Sequence, residues 1–261
     1  MNARGFKAYD VDRFIPEIYD QTETQRDDVS LLRKLIGEST RLKILEPFCG
    51  NGRMLIPLAE AGHTMVGIDK SEPMLTSAKQ KIENLPEVVQ AHITLIQSDV
   101  TTGSWPVGFD LVILGANCLY ELASAEMQEH CISAASHSLK NGGYVHLDNN
   151  HMEGNLDPSW CEKGVHENRF PTGTCSDGTQ VKGTTEVVWF DVSKRLVQFR
   201  RTVETRTPGG KPQEAEWLEQ KHPPSTEEMT TWLEKHGFTI LNLWGDRNQS
   251  PYTAESGRAI Y

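Results

Sequence analysis

The chain has no CxxC pair. Its five cysteines, at 49, 118, 131, 161 and 175, stand apart, which argues against a disulfide framework and predicts reduced thiols in a cytoplasmic protein. No cluster of Lys or Arg offsets a formal net charge of -10, so a nucleic-acid partner held through its phosphates is not expected. No apolar run approaches a membrane span, and residues 1–7 carry no apolar targeting core, so neither an anchor nor a leader is expected. Internal repeats and low-complexity tracts are absent too. What 261 residues leave is one large domain, or a domain with an added lobe.

A third glycine is also missing, from the most informative stretch, Lys43-Ile44-Leu45-Glu46-Pro47-Phe48-Cys49-Gly50-Asn51-Gly52-Arg53. It reads as a buried strand ending in an acid and a Gly-x-Gly turn, whose glycines let backbone N–H groups approach a ligand that a Cβ would push away. A nicotinamide dinucleotide site wants glycine where Leu55 stands. A phosphate-cradling loop wants Gly-Lys-Ser/Thr where the chain reads Gly52-Arg53-Met54. A second strand, Met65-Val66-Gly67-Ile68, ends in Asp69, about 20 residues on and placed to accept from the two hydroxyls of a ribose. Glu46 before the turn suits a cationic amino-acid end and no phosphate. Together the two acids point to S-adenosylmethionine.

Further strands follow at Ile93–Gln97, ending near Asp99, which can meet the N6 amine of adenine, and at Phe109–Leu114 and Tyr144–Asp148. Helical patterns at Pro73–Leu85, with Ser71 as N-cap, and at Ser124–Leu139 separate them. Strands alternating with helices predict an α/β fold, a doubly wound, mostly parallel, Rossmann-like sheet with ligands at its carboxyl edge. Glu46, Asp69, Asp99 and Asn117 all fall at that edge. A lone Gly-x-Gly occurs by chance in many loops, but three acids in order on successive strands are hard to explain by accident.

Residues 157–183 look like a loop. The runs Glu186–Asp191 and Leu196–Val203 form a hairpin about Val192–Arg195, and Glu214–Lys221 is a third β run. Ser225-Thr226-Glu227-Glu228 is a capping box opening the helix Glu227–His236, and strands at Phe238–Trp244 and Gly257–Tyr261 bring the main sheet to seven. The expected division is an N-terminal cap over 1–39, a cofactor-binding core over 40–150, an antiparallel β lid inserted after the fifth strand over 151–224, and a helix and strands completing the core over 225–261.

With Glu46…Gly50-Asn51-Gly52…Asp69…Asp99 in order, the segment from about 40 to 150 resembles the class I S-adenosylmethionine-dependent methyltransferases. Phe48 stands where that class usually has Gly or Ala. More narrowly, the chain resembles the glycine/sarcosine N-methyltransferase branch. That likeness implies that Tyr19 and Arg26 close over the methionine end, Arg26 pairing with the cofactor carboxylate, and that Tyr9 lines the methyl-transfer site. By the same likeness Asn117, in Leu114-Gly115-Ala116-Asn117, contacts the acceptor, Pro251-Tyr252 borders the pocket, and the hairpin lobe is the lid. Phe48, Cys49, Asn51, Lys70, Met74, Val100 and Leu114 join the expected cofactor set as neighbours of the motif residues.

Two departures bear on the acceptor. The branch places an Arg after the fifth strand to hold glycine's carboxylate, and this chain reads Asp148-Asn149-Asn150; the branch has His after the Asn element, and this chain has Glu121. The expected acceptor is therefore an amine or a neutral polar small molecule, with Asn150 and Tyr252 at the substrate and Tyr9, Asn117 and Glu121 nearest the chemistry. A general base is optional for in-line displacement at a sulfonium; Tyr120, Glu121, His146 and His151 are candidates. The cofactor is S-adenosylmethionine, the product S-adenosylhomocysteine, no metal is expected, and a homo-oligomer is left open. Rival readings are a Mg²⁺-dependent O-methyltransferase using Asp148-Asn149, a nucleic-acid base methyltransferase, and a non-catalytic binder of the same nucleoside.

Overall fold

The computed structural model describes residues 13–37, 40–150 and 158–261. Two short helices come first, α1 (Ile15–Thr22) and α2 (Asp27–Ile36). Then β1 (Lys43–Pro47), α3 (Leu55–Glu60), β2 (Thr64–Asp69), α4 (Glu72–Glu83), α5 (Glu87–Gln90), β3 (Ile93–Gln97), β4 (Phe109–Leu114), α6 (Ala125–Ser138) and β5 (Leu139–Asn150) alternate as expected. Ser71 and Ser124 cap α4 and α6 by accepting from the backbone N–H three residues on. After α7 (Pro158–Cys161) come β6 (Val165–Glu167), β7 (Gly173–Thr174), β8 (Gln180–Asp191), β9 (Leu196–Arg206) and β10 (Gln213–Lys221), then α8 (Thr226–Lys235) and β11 (Arg258–Ile260).

The main sheet runs β11-β5-β4-β1-β2-β3, parallel except for β11. Among the described residues it has six strands, not the seven expected. The segment 238–244 meets β11 only through Trp244, which exchanges N–H···O bonds of 2.9 Å with Ile260. Three residues of β11 offer too short an edge for that segment to continue as a ladder. Strand order reverses at β1, with β2 on one side and β4 on the other, and at such a switch point the loops diverge and leave a crevice. The rows Ile44-Leu45, Val66-Ile68 and Leu111–Leu114 are buried on both faces, as a helix-covered parallel sheet requires.

A separate antiparallel sheet runs β10-β9-β8-β6, with β7 on β8. Among the described residues it therefore has five strands rather than three runs, and 158–183 is not all loop. The long β9 pairs with β8 back to Gln180↔Arg206, so Val181 and Gly183 are drawn into the ladder despite Thr, Lys and Gly around them. This sheet packs on α1: Ile15 and Ile18 share a core with Cys175, Val181 and Val203. An N-terminal helix is thereby sandwiched between the two sheets' territories, over the crevice.

Candidate active site

The first turn is built on left-handed backbone, with φ of 62° at Phe48, 52° at Gly50 and 83° at Gly52. Phe48 holds this conformation at a cost of about 1–2 kcal/mol, and its ring packs against the core beside α6 while also bordering the cavity. Asp69 reaches back across the turn. One of its oxygens accepts from the Gly50 N–H at 2.8 Å and the other from the Ser71 N–H at 2.9 Å. Gly67 explains how the strand can pass so close: a Cβ there would sit 2.5 Å from Leu55 and 2.7 Å from the Cys49 sulfur.

Above this turn lies a cavity of ≈ 330 Å³. Its floor is Glu46, Phe48, Cys49 and Gly50 from β1, Asp69, Lys70 and Met74 from β2 and α4, and Asp99 and Val100 beyond β3. Tyr19 closes one side, edge-on against Phe170, from the connection between β6 and β7, at 5.7 Å. Glu121, followed by Leu122 and Ala123, forms the far wall, and Gln220 of β10 reaches in. Three carboxylates therefore face one space from three strand tips, together with Glu121.

Their environments differ. Glu46 is 3% exposed and its Oε2 has no hydrogen-bond partner. Burial drives its pKa up to about 8; Arg53 opposes this, and Asp28 and Asp69 add to it. Burial alone would raise Asp99 too, but the Thr101 hydroxyl at 2.6 Å and N–H at 2.9 Å outweigh it and hold the carboxyl below its usual range. The floor thus offers one charged acid and one that is neutral until something cationic meets it.

Several expected residues stand elsewhere. Arg26 is exposed before α2 and its Nη1 donates to the carbonyls of Glu23 and Gln25 at 2.8 and 3.0 Å. It does not line the cavity; Arg53 does. The Arg53 guanidinium ion-pairs with Asp28, which is 1% exposed, and hydrogen-bonds Tyr19. Asn51 is buried but turned toward α1, donating to Asp20 at 2.9 Å, while Gly52 closes the turn onto the Cys49 carbonyl at 3.0 Å. Leu114 is fully buried in the core, and Gly115 and Ala116 line the cavity in its place.

Asn117 and Asn150 are joined to each other outside the cavity lining. Asn117 Oδ1 accepts from the Asn150 N–H at 2.6 Å and from Arg258 Nη2 at 3.0 Å, and Arg258 also donates to Asn150 Oδ1 at 2.7 Å. Ala116 and Asn117 both have positive φ, 53° and 64°, so this clasp holds a strained turn whose first residues form the cavity wall. Tyr252 does not line the cavity, and Tyr9 and His151 lie outside the described residues. Of the base candidates, Tyr120 is packed against Trp160 at 5.2 Å. His146 is buried in β5, where burial, against the pull of Asp148, lowers its pKa to about 4. Of the three candidates among the described residues, only Glu121 lines the cavity.

Sequence reasoning passes over Arg53, because in the motif it stands only as the residue that fails to be a phosphate-loop lysine. Cys118, Met127 and Gln220 also line the space. Met127 and Gln220 give no local signal; tertiary packing brings them in from α6 and β10.

Residues 44–143 match a family model described as a methyltransferase domain. This chain carries a methyltransferase domain. A Geobacillus sp. (strain WCH70) protein, provisionally assigned as a methyltransferase, is 23% identical over 233 residues, 87% of this chain and 86% of its own. Among solved structures, the CcbJ methyltransferase of Streptomyces caelestis has a similar fold at TM-score 0.71, with 17% identity over 97% of this chain and 96% of its own. The sugar N-methyltransferase KedS8 of Streptoalloteichus sp. ATCC 53650 follows at TM-score 0.63, 15% identity, 93% of this chain and 86% of its own. These two likenesses speak to the fold. Among the described residues no helix of this chain is long and apolar enough to cross a membrane, and no group of three or more His, Cys, Asp or Glu is placed to hold a metal ion.

Proposed function

We propose that this protein moves a methyl group from S-adenosylmethionine to the nitrogen of a small, non-anionic amine. The observation that carries the reading is the single cavity in which Glu46, Asp69 and Asp99 face Glu121 across apolar walls. The cofactor supplies an activated methyl on a sulfonium. Asp69 would take the ribose hydroxyls, Asp99 the adenine amine, Glu46 the ammonium and Arg53 with Tyr19 the carboxylate, with residues 13–37 as the cap and the antiparallel sheet as the lid. The buried, unpartnered Glu46 Oε2 fits a cationic ligand.

At the other end, Leu122, Ala123, Cys118 and Met127 exclude water, which disfavours an ammonium and leaves the amine its lone pair. Glu121 does not undo this, because the Lys221 ammonium is paired with it. Positioning the nitrogen supplies most of the acceleration, up to about 7–11 kcal/mol as effective molarity. A carboxylate-bearing acceptor such as glycine would find the cation beside Asn150 already engaged: Arg258 is tied to Asp148 at 2.6 Å. KedS8, a sugar N-methyltransferase by its description, is a neighbour in fold. The Mg²⁺ reading is disfavoured by the same pairings, since both Arg258 and Arg247 hold the one carboxylate, Asp148, that it would use.

A panel of primary amines, phenols and amino acids, scored by S-adenosylhomocysteine release, tests the reading. Amines should turn over and glycine should lag by at least tenfold; phenols preferred over amines, with loss on chelation, would reverse it.

The raised pKa of Glu46 gives a pH test. In the free chain the unfolded state loses this proton near the ordinary carboxyl value and the folded state only at about 8. Its contribution to stability is therefore full below the ordinary value and lost as pH climbs through about 8. Binding a cationic ligand against Glu46 forces ionisation, so affinity should rise with pH toward about 8, by at most about tenfold per unit. Calorimetry in buffers of different ionisation enthalpy should show proton release at pH 7; none would remove Glu46 from the ammonium.

A further inference from the structure

A second, smaller cavity of ≈ 140 Å³ adjoins the first on the inner side of the antiparallel sheet, and Glu121 lines both. Its walls include Asn168, Phe170, Arg201, Thr202, Trp217 and Lys221. Resting on the amine reading above, we propose that this chamber is the subsite for the rest of the acceptor, and that it takes a neutral hydroxylated ring rather than an anion or a plain hydrocarbon.

The argument against an anion is the charge balance. Both cations of the chamber are already answered: Arg201 Nε donates to Glu219 at 3.0 Å, and Lys221 pairs with Glu121 and lies 3.4 Å from Glu219. Two cations face two carboxylates, so an incoming carboxylate or phosphate meets no surplus positive charge and would have to compete with partners in place.

Against a plain hydrocarbon stands Trp217. Its indole N–H is buried without a hydrogen-bond partner, and an indole nitrogen can only donate. Such a donor is costly to leave unmet, and because Trp217 lines the chamber a small turn of its ring would bring the N–H to an oxygen lone pair of a ligand there. Trp217 lies directly opposite Arg201 in the β9–β10 ladder, so the indole and the balanced ion pair border the same part of the chamber. The Phe170 and Trp217 rings offer apolar surface for the C–H face of a ring, and the Thr202 hydroxyl and Asn168 amide add polar groups. Because Glu121 stands at the junction, an amine on that ring's edge would point into the first cavity.

The test uses the full chain with S-adenosylhomocysteine bound and saturation-transfer NMR on four probes: a set of aminodeoxyhexoses, 2-aminocyclohexanol, cyclohexylamine and 4-aminobutyrate. The hydroxylated amines should bind best, the aminohexoses at least tenfold more tightly than cyclohexylamine and than 4-aminobutyrate. Trp217→Phe keeps a ring and removes only the donor. It should weaken aminohexose binding about tenfold, leave cyclohexylamine unchanged and keep the melting temperature, which a structural role for the indole would lower. Asn168→Leu should weaken the same probes without touching S-adenosylhomocysteine affinity. Tightest binding of the anionic probe, no binding of any hydroxylated probe, or an unchanged aminohexose affinity in Trp217→Phe would each overturn the assignment. Methyl transfer is scored separately: hydroxylated amines that bind through Trp217 yet receive no methyl would leave the subsite standing and refute nitrogen as the acceptor.

Discussion

Asp69→Ala should weaken S-adenosylhomocysteine binding by about 10²–10⁴-fold, because two hydrogen bonds to a charged acceptor are worth about 1.5–3 kcal/mol each. The substitution has a second effect that a ribose contact alone would not produce. Asp69 also accepts the Gly50 and Ser71 N–H groups at 2.8 and 2.9 Å, so alanine strands both donors beside the glycine turn. Urea unfolding should register a loss of about 1–3 kcal/mol for these orphaned groups. Asp69→Asn keeps one oxygen able to accept and should fall between alanine and the wild type in both measurements. Calorimetric affinity unchanged in Asp69→Ala would show that the nucleoside sits elsewhere and would take the proposed function with it.

How much of this is legible without the structure depends on where each residue's signal is stored. The β1–β5 units are readable because buried parallel strands carry apolar runs, and because Ser71 and Ser124 mark the helix starts by a local hydrogen bond. Glu46, Asp69 and Asp99 are readable because strand-tip positions follow from the strands. Positions set by tertiary contacts are not. Nothing local says that Gln220, near the end of β10, bonds the Ala123 carbonyl at 2.7 Å and enters the cavity. The same holds for Arg258 clasping Asn117 and Asn150 across more than a hundred residues of chain. The seventh strand fails for a related reason: Phe238–Trp244 has the composition of a strand, but a strand also needs an edge to pair with, and β11 supplies three residues. Similarity to the N-methyltransferase branch suggests Arg26 as the carboxylate clamp, whereas packing delivers Arg53 to the cavity.

Those two arginines should behave as opposites. Arg26 is exposed and, among the described residues, its side chain bonds only to nearby carbonyls, so Arg26→Ala should change stability by no more than about 0.5 kcal/mol. Arg53→Ala leaves Asp28 buried without its main partner, a change that typically costs about 3–5 kcal/mol. Arg247, 3.8 Å from Asp28, supplies partial compensation, which argues for the lower end of that range. Because such a variant could lose cofactor binding merely by unfolding, the informative double variant pairs Arg53→Met with Asp28→Asn. Removing both charges from a buried pair is often close to neutral for stability, so this protein should recover most of the lost stability. Cofactor affinity should not return with it: the guanidinium that faces the cavity beside Tyr19 is still gone, and S-adenosylhomocysteine should remain weakened by at least about tenfold, the loss of one hydrogen bond to a charged group. Recovery of affinity together with stability would make Arg53 a scaffold residue only. A large loss of affinity in Arg26→Ala would instead show α2 closing onto the ligand, with the clamp supplied by the arginine that the branch resemblance first indicated.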